Sequence, residues 1–435
     1  MNRPGWWPTT AHVRAGAGGA VLAVVGALLR RPDAVVLAAP LLMVAVWAAR
    51  TRPRGEPEVA EGLDHASLRE GEATTWRIEL RTDDPNVDSV AAVLWAPAFA
   101  ELSPSTGDVV TNTEGDGPTR TAALSVAVRS TRWGSRPVGP AAVVATSPWA
   151  AFRWANSDAT PRRLTTLPVP AAFDAEAPAA HAAGLVGLDR SVRTGDGSEF
   201  AGIRPFQPGD RLRRIHWPRS LRSGTLHVSA TWADHDHHVV LIVDAFNDVG
   251  VSEGVDGRAS SLDTTVRAAG ALAEHHLRRG DRVALHVLGA RGLVRVPPAS
   301  GIGHLRRVLD NLAAIEPNAG ALDDRRMPLG PLGDALVVVL SPLISQVPLQ
   351  RAIGLAAGGT RVVVVDTLPP GVADHDPDDP SGALAWRIRL LERARELRVV
   401  RAAGVPVVTW RGPGSLDQVL RDLARRRAAP RVVHR

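Results

Sequence analysis

Two uncharged apolar runs open the chain, at residues 15–29 and 34–49, and an Arg-Arg-Pro-Asp segment at residues 30–33 separates them. Each run is slightly shorter than the roughly 20 residues with which a helix crosses a bilayer. Two such runs joined by a tight polar turn nevertheless predict a transmembrane helical hairpin over residues 1–54. Their high content of Gly and Ala would let the two helices pack closely. A pair of buried core helices is the alternative interpretation.

The arginines around the hairpin are unevenly distributed. Those outside it are Arg3, Arg14, Arg50, Arg52 and Arg54, and those in its turn are Arg30 and Arg31. Positive charge accumulates on the cytoplasmic side of membrane segments. We therefore expect a multi-pass protein of the cell membrane with two helices in contact with membrane lipid, whose termini and soluble domains face the cytoplasm.

Short β-rich runs separated by turn-forming clusters follow the hairpin, after a polar, Pro-containing segment at 55–64 that we interpret as a linker. The predicted strands are Thr74–Leu80, Ser89–Trp95, Thr119–Arg129, Val138–Thr146 and Arg163–Val169. Short strands at this spacing predict an all-β domain at residues 55–170, folded as an antiparallel sandwich.

Continuous apolar runs alternate with amphipathic segments in the last part of the chain. The predicted strands are His238–Asp244, Arg282–Leu288, Leu293–Val296, Ala335–Leu340, Arg361–Asp366 and Val405–Trp410. The predicted helices are Ser260–Arg279, Gly303–Ile315, Gln346–Ala357, Ala383–Ala403 and Ser415–Arg427. This alternation predicts a parallel sheet covered on both faces, in a doubly wound α/β domain at residues 238–435. Residues 171–237 form a linker and an Arg-rich region between the two domains.

The composition excludes several chemistries because Cys, Lys and Tyr are absent and all 51 basic residues are Arg. Without Cys there are no disulfides, thiolate metal sites or cysteine nucleophiles. Without Lys there is neither a Walker-A phosphate loop nor a Schiff base. The net charge is only +6, since 45 acidic residues are interspersed among the arginines. We therefore expect no nucleic-acid partner.

Six arginines and a single acidic residue lie between positions 204 and 222. Guanidinium groups need acceptors, which a carboxylate network of the same domain, the acidic surface of a partner, or a phosphate would supply. These three interpretations stay open at the level of the sequence. We expect Asp210 to be structural and Trp217 to anchor the run in the core, and we expect Arg211, Arg219 and Arg222 to be exposed toward a partner.

Residues 197–222 contain a Gly-x-Glu, an Arg, an aromatic-x-x-Gly-Asp, an Arg-x-Ile-x-Trp and a Ser-x-Arg. This series resembles the signature of the domain-of-unknown-function 58 family. The signature residues are Glu199, Arg204, Gly209, Asp210, Arg211, Arg213, Arg214, Trp217, Arg219, Ser220 and Arg222. The chain departs from the family pattern at four positions, which are Phe206, His216, Pro218 and Leu221. His216 stands where an Asp is usual.

The resemblance implies a von Willebrand factor A-like C-terminal domain and a partnership with MoxR-type AAA+ ATPases. The metal site of that fold uses an Asp-x-Ser-x-Ser after the first strand, and here Phe246 and Asp248 replace the two serines. A phenyl ring offers no oxygen to a hard cation. We therefore expect no cofactor and a cap or turn role for Asp244. If Mg²⁺ were bound, Asp244 and Asp248 would be its candidate ligands.

The sequence thus predicts a membrane-anchored, non-enzymatic adaptor or scaffold without catalytic residues, which acts with a MoxR-type AAA+ ATPase in protein assembly or maturation. Any ATP hydrolysis would come from the partner. Two other functions stay open. One is a metal-dependent hydrolase or phosphoesterase that uses Asp244 and Asp248, and the other is a binder of anionic lipid or nucleic acid through residues 204–222.

Overall fold

The structure is a computed structural model that describes residues 5–115, 117, 119–156, 160–169, 194–208, 210–232, 238–291, 294–317, 332, 335–372 and 380–411. Two compact units make up the chain. The first consists of Met1–Pro168 together with Gly254–Gly257, and the second of Val169–Glu253 together with Arg258–Arg435.

The first unit begins with two helices of 19 residues, α1 (Thr10–Leu28) and α2 (Pro32–Arg50). The Thr9 hydroxyl caps α1 by accepting a hydrogen bond from the His12 amide at 3.3 Å. Both helices are long and apolar enough to cross a membrane, and large apolar side chains are exposed along each of them. This extent of exposed apolar surface is not expected of core helices in a water-soluble domain. The two predicted apolar helices are therefore confirmed, and their orientation in a membrane stays a prediction.

Small residues let α1 and α2 approach closely. A Cβ atom placed on Gly26 would lie 3.0 Å from the Ala34 Cβ and 3.2 Å from the Arg31 carbonyl oxygen. A Cβ atom on Gly19 would lie 3.1 Å from the Leu42 side chain. A larger residue at either position would thus press against α2, in agreement with the close packing that the Gly and Ala content of the runs predicts.

Twelve described strands belong to the first unit. They are β1 Trp7–Pro8, β2 Glu58–Leu63, β3 Ser67–Arg69, β4 Ala73–Thr82, β5 Ser89–Val93, β6 Ala100–Ser103, β7 Asp108–Asn112, β8 Arg120–Ser130, β9 Gly134–Val138, β10 Ala142–Thr146, β11 Phe152–Ala155 and β12 Arg162–Leu167. Two antiparallel sheets have the orders β1-β11-β10-β5-β7 and β2-β4-β8-β6, and a third has the order β3-β12-β9. Buried side chains of β4 and β8 share one core with those of β5 and β10, so the first two sheets form two layers around it.

The structure corrects three details of the predicted β domain. The segment interpreted as a linker contains β2, which pairs along its whole length with β4. The run predicted as one strand at Val138–Thr146 is divided between β9 and β10, because the backbone turns at Gly139-Pro140. The domain is not purely antiparallel, since β3 and β12 run parallel.

The described elements of the second unit begin with a two-stranded sheet and continue into an α/β sheet. The strands are β13 Thr194–Pro205, β14 His227–Trp232, β15 His238–Asp244, β16 Arg282–Leu288, β17 Arg295–Ala299, β18 Leu336–Ser341, β19 Arg361–Asp366 and β20 Val407–Thr409. The helices are α3 Trp217–Ser223, α4 Ser261–Arg278, α5 Ile302–Ala313, α6 Gln346–Ala357 and α7 Pro380–Ala402.

The six-stranded sheet has the order β17-β16-β15-β18-β19-β20, and all of its pairs are parallel except β16 with β17. Successive residues of β15, β18 and β19 are buried, so both faces of the sheet are covered. Counted along the chain this is the order 3-2-1-4-5-6, typical of doubly wound folds. The predicted α/β region is confirmed in this respect, with its third strand antiparallel at the edge. The predicted helix Ser415–Arg427 lies outside the described residues.

Candidate functional site

Two parts of the second unit hold the candidate residues. The first is the signature region, where β13 and β14 pair antiparallel and the chain between them forms a short 3₁₀ helix at Leu212–Arg214 and then α3. Glu199 lies within β13, and Gly209 lies outside the described residues.

Arg204 and Asp210 close the turn that follows β13. The Arg204 guanidinium donates two hydrogen bonds to the Asp210 carboxylate, at 2.7 and 2.5 Å, and the Gln207 amide donates a third at 2.8 Å. The Arg204 guanidinium, with help from the Gln207 amide, holds the pKa of Asp210 below its usual range. A bidentate pair of this kind fixes the geometry of the turn. Arg204 therefore contacts an acid of its own domain.

His216 and Ser220 attach α3 to β14. The His216 Nδ1 accepts a hydrogen bond from the Arg219 amide at 3.2 Å, so the imidazole caps the helix where the family pattern has an Asp. The buried Ser220 hydroxyl donates to the His216 carbonyl at 3.0 Å and accepts from the His227 amide at 2.9 Å. The departure at His216 thus keeps a capping acceptor, although it removes a carboxylate.

Exposed arginine and apolar side chains cover the outside of the signature region. Arg211, Arg213, Arg219 and Arg222 are exposed, Arg214 is half-buried, and Trp217 and Leu221 are 58% and 79% exposed. In the part of the chain that the structure describes, no carboxylate forms an ion pair with Arg213, Arg219 or Arg222. We refer to the side chains of Arg213, Trp217, Arg219, Leu221 and Arg222 as the signature surface.

The expectation that Trp217 anchors the run in the core is wrong. A seven-residue helix against a two-stranded sheet buries little, and Ser220 is the residue of α3 that is buried. The exposure of Arg211, Arg219 and Arg222 agrees with the expectation for those residues. Exposed Trp and Arg side chains in one place form a composition typical of energetic centres in protein–protein interfaces.

The second candidate is the carboxyl edge of the six-stranded sheet, between β15 and β18. The strand order reverses between these two strands, and doubly wound folds bind ligands at such a point. Asp244 ends β15 there and is 1% exposed. Its carboxylate accepts hydrogen bonds from the Phe246 amide at 3.0 Å and from the Ser341 hydroxyl at 2.5 Å. Burial raises the pKa of Asp244 to about 6, and these two donors oppose that rise.

Asp248, the other candidate ligand, is contacted by the backbone of its own chain. Asp248 accepts a hydrogen bond from the Leu262 amide at 3.1 Å, near the start of α4. Phe246 is buried and packs over Gly289, where a Cβ would lie 2.5 Å from the Phe246 backbone nitrogen. At the three positions of the degenerate metal motif, Asp244 thus accepts hydrogen bonds in a turn, Phe246 is a buried aromatic residue, and Asp248 caps a helix.

Two arginines of α7 occupy the same edge, and sequence reasoning missed them. Arg393 binds the Asp366 carboxylate at the end of β19 and donates to the Pro342 carbonyl at 2.9 Å. One helical turn earlier, Arg389 donates to the Ile344 carbonyl at 3.1 Å. A guanidinium on Asp366 opposes the binding of a divalent cation to that carboxylate. Among the described residues no three His, Asp or Glu side chains form a potential metal site. The spacing of four residues, which puts both arginines on one helix face, was the available signal.

Comparison with known proteins finds a family match that covers most of these two candidates. Residues 202–376 match the family described as "Protein of unknown function DUF58". The chain is also 26% identical over 270 residues to the uncharacterized proteins Rv1480 of Mycobacterium tuberculosis and Mb1516 of Mycobacterium bovis. These alignments cover 55% of this chain and 83% of each relative. The matched residues include the signature from Arg204 to Arg222 and the sheet from β15 to β19, whereas Glu199 and α7 lie outside the match. Residues 202–376 thus match the model of the family whose signature this chain resembles.

Proposed function

We propose that this protein is a membrane-anchored, non-enzymatic adaptor whose signature surface binds a MoxR-type AAA+ ATPase during the assembly or maturation of other proteins. The ATPase and its process come from the family resemblance, and the binding surface comes from the geometry. The proposal rests on the signature surface, where a Trp, a Leu and three arginines are exposed. They lie beside a turn that the Arg204–Asp210 ion pair holds and on a helix that Ser220 attaches to β14.

The arrangement of the signature region supports docking because it separates two kinds of arginine. Arg204 is committed to Asp210 and holds the turn. Arg219 and Arg222 have exposed guanidinium groups on α3, which Ser220 joins to β14. Side chains held on a fixed element lose less conformational freedom on binding than those of a loose tail. An acidic surface with an apolar recess for Trp217 would complement this face.

The carboxyl edge of the sheet supports a role without catalysis. The two carboxylates of the metal motif, those of Asp244 and Asp248, accept hydrogen bonds from the backbone and from Ser341. Arg393 forms an ion pair with Asp366 at the same edge. The alternative as a metal-dependent hydrolase would need these groups to turn toward a substrate. No described contact of Asp244 or Asp248 favours that alternative.

A binding titration tests the docking proposal. The full chain is placed in nanodiscs and titrated with a purified MoxR-type ATPase of the same cells. We expect Arg219→Ala and Arg222→Ala each to weaken binding by about 2 kcal/mol without lowering the melting temperature, as at an interface centre. Arg162→Ala, on β12, changes an exposed arginine of the other unit and serves as the matched control. Lower stability in both α3 variants without a selective loss of binding would refute docking.

Salt dependence separates docking from the binding of nucleic acid or anionic lipid through the same arginines. Neutralising several phosphates gives a steep linear fall of log affinity with log salt concentration. A protein interface with an apolar centre depends on salt less strongly. A steep slope of log affinity against log salt concentration with a DNA oligonucleotide, and no saturable binding of the ATPase, would refute docking in favour of an anionic ligand.

The membrane topology has its own test. The five arginines outside the hairpin predict that both soluble units face the cytoplasm. Protease added to intact spheroplasts should therefore leave residues 55–435 uncut, whereas the same protease should digest them after lysis. Digestion in intact spheroplasts would contradict the orientation.

A further inference from the structure

A cavity of about 670 Å³ opens in the first unit where α2 ends. One wall is the segment that leaves the helix, with Arg50, Arg54, Glu56 and Glu58, and the other is the end of β4 with Arg81 and the turn after it. The cavity begins at the last residue of a helix that is apolar enough to cross a membrane. If that helix spans the bilayer, the cavity lies at the depth of the lipid headgroups.

Hydrogen bonds within the unit hold the cavity in place. The buried Trp6 indole donates to the Gly55 carbonyl at 2.8 Å, and Arg52 donates to the Trp6 carbonyl at 2.9 Å. The Arg54 amide donates to the Asp84 carboxylate at 2.7 Å and so joins the two walls. These contacts tie the start of the hairpin to the segment that follows α2, and that segment to the turn after β4. The cavity is therefore a built feature and not a gap beside a loose tail.

The exposed tryptophans near this end of the hairpin agree with a headgroup depth. Trp47 lies one turn before the end of α2 and is 64% exposed, and Trp7 lies before the start of α1 and is 45% exposed. Tryptophan accumulates at the interface between membrane and water. Both termini of the hairpin thus carry the side chains expected beside the cavity.

Five charged side chains of the cavity form no ion pair within the described residues. Two of its acids have donors from the chain, since Asp84 accepts the Arg54 and Asn86 amides and Asp83 accepts the Thr119 hydroxyl at 2.8 Å. Within the described residues, the guanidinium groups of Arg50, Arg54 and Arg81 form no ion pair. The carboxylates of Glu56 and Glu58 form none either.

The lack of pairing is notable for Glu58, because it lies directly opposite Arg81 in the register of β2 and β4. Opposite charges at facing positions usually interact. Here the cavity keeps guanidinium donors on both walls, and carboxylate acceptors on the wall that follows α2, available for a ligand. A ligand that satisfies both needs an anionic group for the arginines and a cationic donor for the glutamates.

We propose that this cavity binds the phosphoethanolamine headgroup of a membrane phospholipid, with the phosphate on Arg50, Arg54 and Arg81 and the ammonium on Glu56 and Glu58. Arginine forks match phosphate oxygens in geometry and charge. An ammonium group offers three donors to carboxylates. The inference rests on the membrane anchoring proposed above.

Native mass spectrometry of the full chain, released from nanodiscs with equal amounts of phosphatidylethanolamine, phosphatidylglycerol and phosphatidylcholine, tests the site. We expect the wild type to retain one phosphatidylethanolamine in preference to the other two. The triple variant R50Q/R54Q/R81Q should lose about tenfold or more in retention of every phospholipid, since charge-assisted hydrogen bonds are removed. The variant E56Q/E58Q should lose only the preference for the ethanolamine headgroup.

The control is Arg162→Gln, which removes an exposed arginine that does not line the cavity and should behave as the wild type. Melting temperatures establish that the variants fold. Equal retention of lipid by the wild type and the triple variant overturns the site, and retention without headgroup preference overturns the phosphoethanolamine assignment.

A calorimetric titration of the full chain in detergent with soluble phosphoethanolamine, and with inorganic phosphate, distinguishes the lipid from a free source. Saturable binding that needs the three arginines, without lipid retention, would overturn the lipid headgroup in favour of a soluble ligand. Failure of the chain to enter nanodiscs would refute the anchoring, and the calorimetric titration would then still decide the chemistry of the cavity.

Discussion

The substitution Asp244→Asn tests whether the carboxylate between β15 and β18 is a structural group. Burial raises the pKa of Asp244 from its ordinary value of 3.8 to about 6. At about 1.36 kcal/mol for each pH unit, this difference corresponds to about 3 kcal/mol. The folded state binds this proton more tightly than the unfolded state. The contribution of Asp244 to the free energy of unfolding is therefore most favourable below pH 3.8 and is lost as the pH rises through about 6.

Asparagine keeps the hydrogen bonds without the charge. Its oxygen can accept the Phe246 amide, and its amino group can donate to the Ser341 hydroxyl, which accepts the Leu343 amide at 2.9 Å. The gain from removing a buried charge is reduced by the loss of charge-assisted bonds, about 1–2 kcal/mol. We expect the variant to be more stable than the wild type at pH 7.5 by about 1–2 kcal/mol, and to lose this advantage at pH 4.5.

The assay is hydrogen–deuterium exchange of the β15 amides in the full chain across a urea series at both pH values. Because other acids also titrate, the difference between variant and wild type is the quantity that isolates Asp244. A lower stability of the variant at pH 7.5 would refute the reasoning. So would a stabilisation of the wild type by Mg²⁺ that the variant lacks, since that is the behaviour of a metal ligand.

Three further substitutions have expected outcomes. Arg204→Ala should lower the melting temperature near pH 7, because it removes the partner of Asp210. Calorimetry at acid pH should show that this effect vanishes as the pH falls through the lowered pKa of Asp210, where the carboxylate becomes protonated. An equal effect at all pH values would contradict the ion pair. Gly26→Leu should destabilise the hairpin in detergent melting curves because its Cβ meets α2, whereas Gly18→Leu, with open space around it, should not; equal effects would contradict the packing. Arg393→Ala should cost about 3 kcal/mol in urea denaturation, since it leaves a largely buried carboxylate without its ion-pair partner; no change would show that the ion pair contributes nothing.

A strand that is buried on both faces and a helix that follows a capping serine were predictable from the sequence. The bounds of α6 and β19 are those that the pattern predicts, because β19 is continuously apolar and α6 begins after a serine whose hydroxyl caps it. Strand β2 was missed, since Glu58 and Glu61 make it polar and a proline precedes it. Its place is determined by backbone pairing with β4, which leaves no apolar signal.

The residue types of the candidate sites were predictable from the sequence, but the acceptor that each arginine contacts was not. The signature indicates that arginines matter, but only the fold shows that Arg204 reaches Asp210 while Arg219 and Arg222 stay exposed. At the sheet edge, Arg393 binds a carboxylate 27 residues away and a carbonyl 51 residues away. The face of a helix can be predicted from spacing, whereas its target depends on the tertiary packing of α7.

The candidate sites of this chain differ in whether their arginines form an ion pair with a carboxylate. A guanidinium stays charged at every physiological pH, so it is stabilised inside a domain only where it meets an acceptor. Arg204 and Arg393 have such acceptors, and in both cases the partner is a carboxylate that would otherwise be available to a ligand. At the sheet edge, Arg393 thereby occupies the carboxylate that ends β19. The signature surface and the cavity beside α2 each hold several exposed arginines that form no ion pair within the described residues, and we therefore assign binding to these two places.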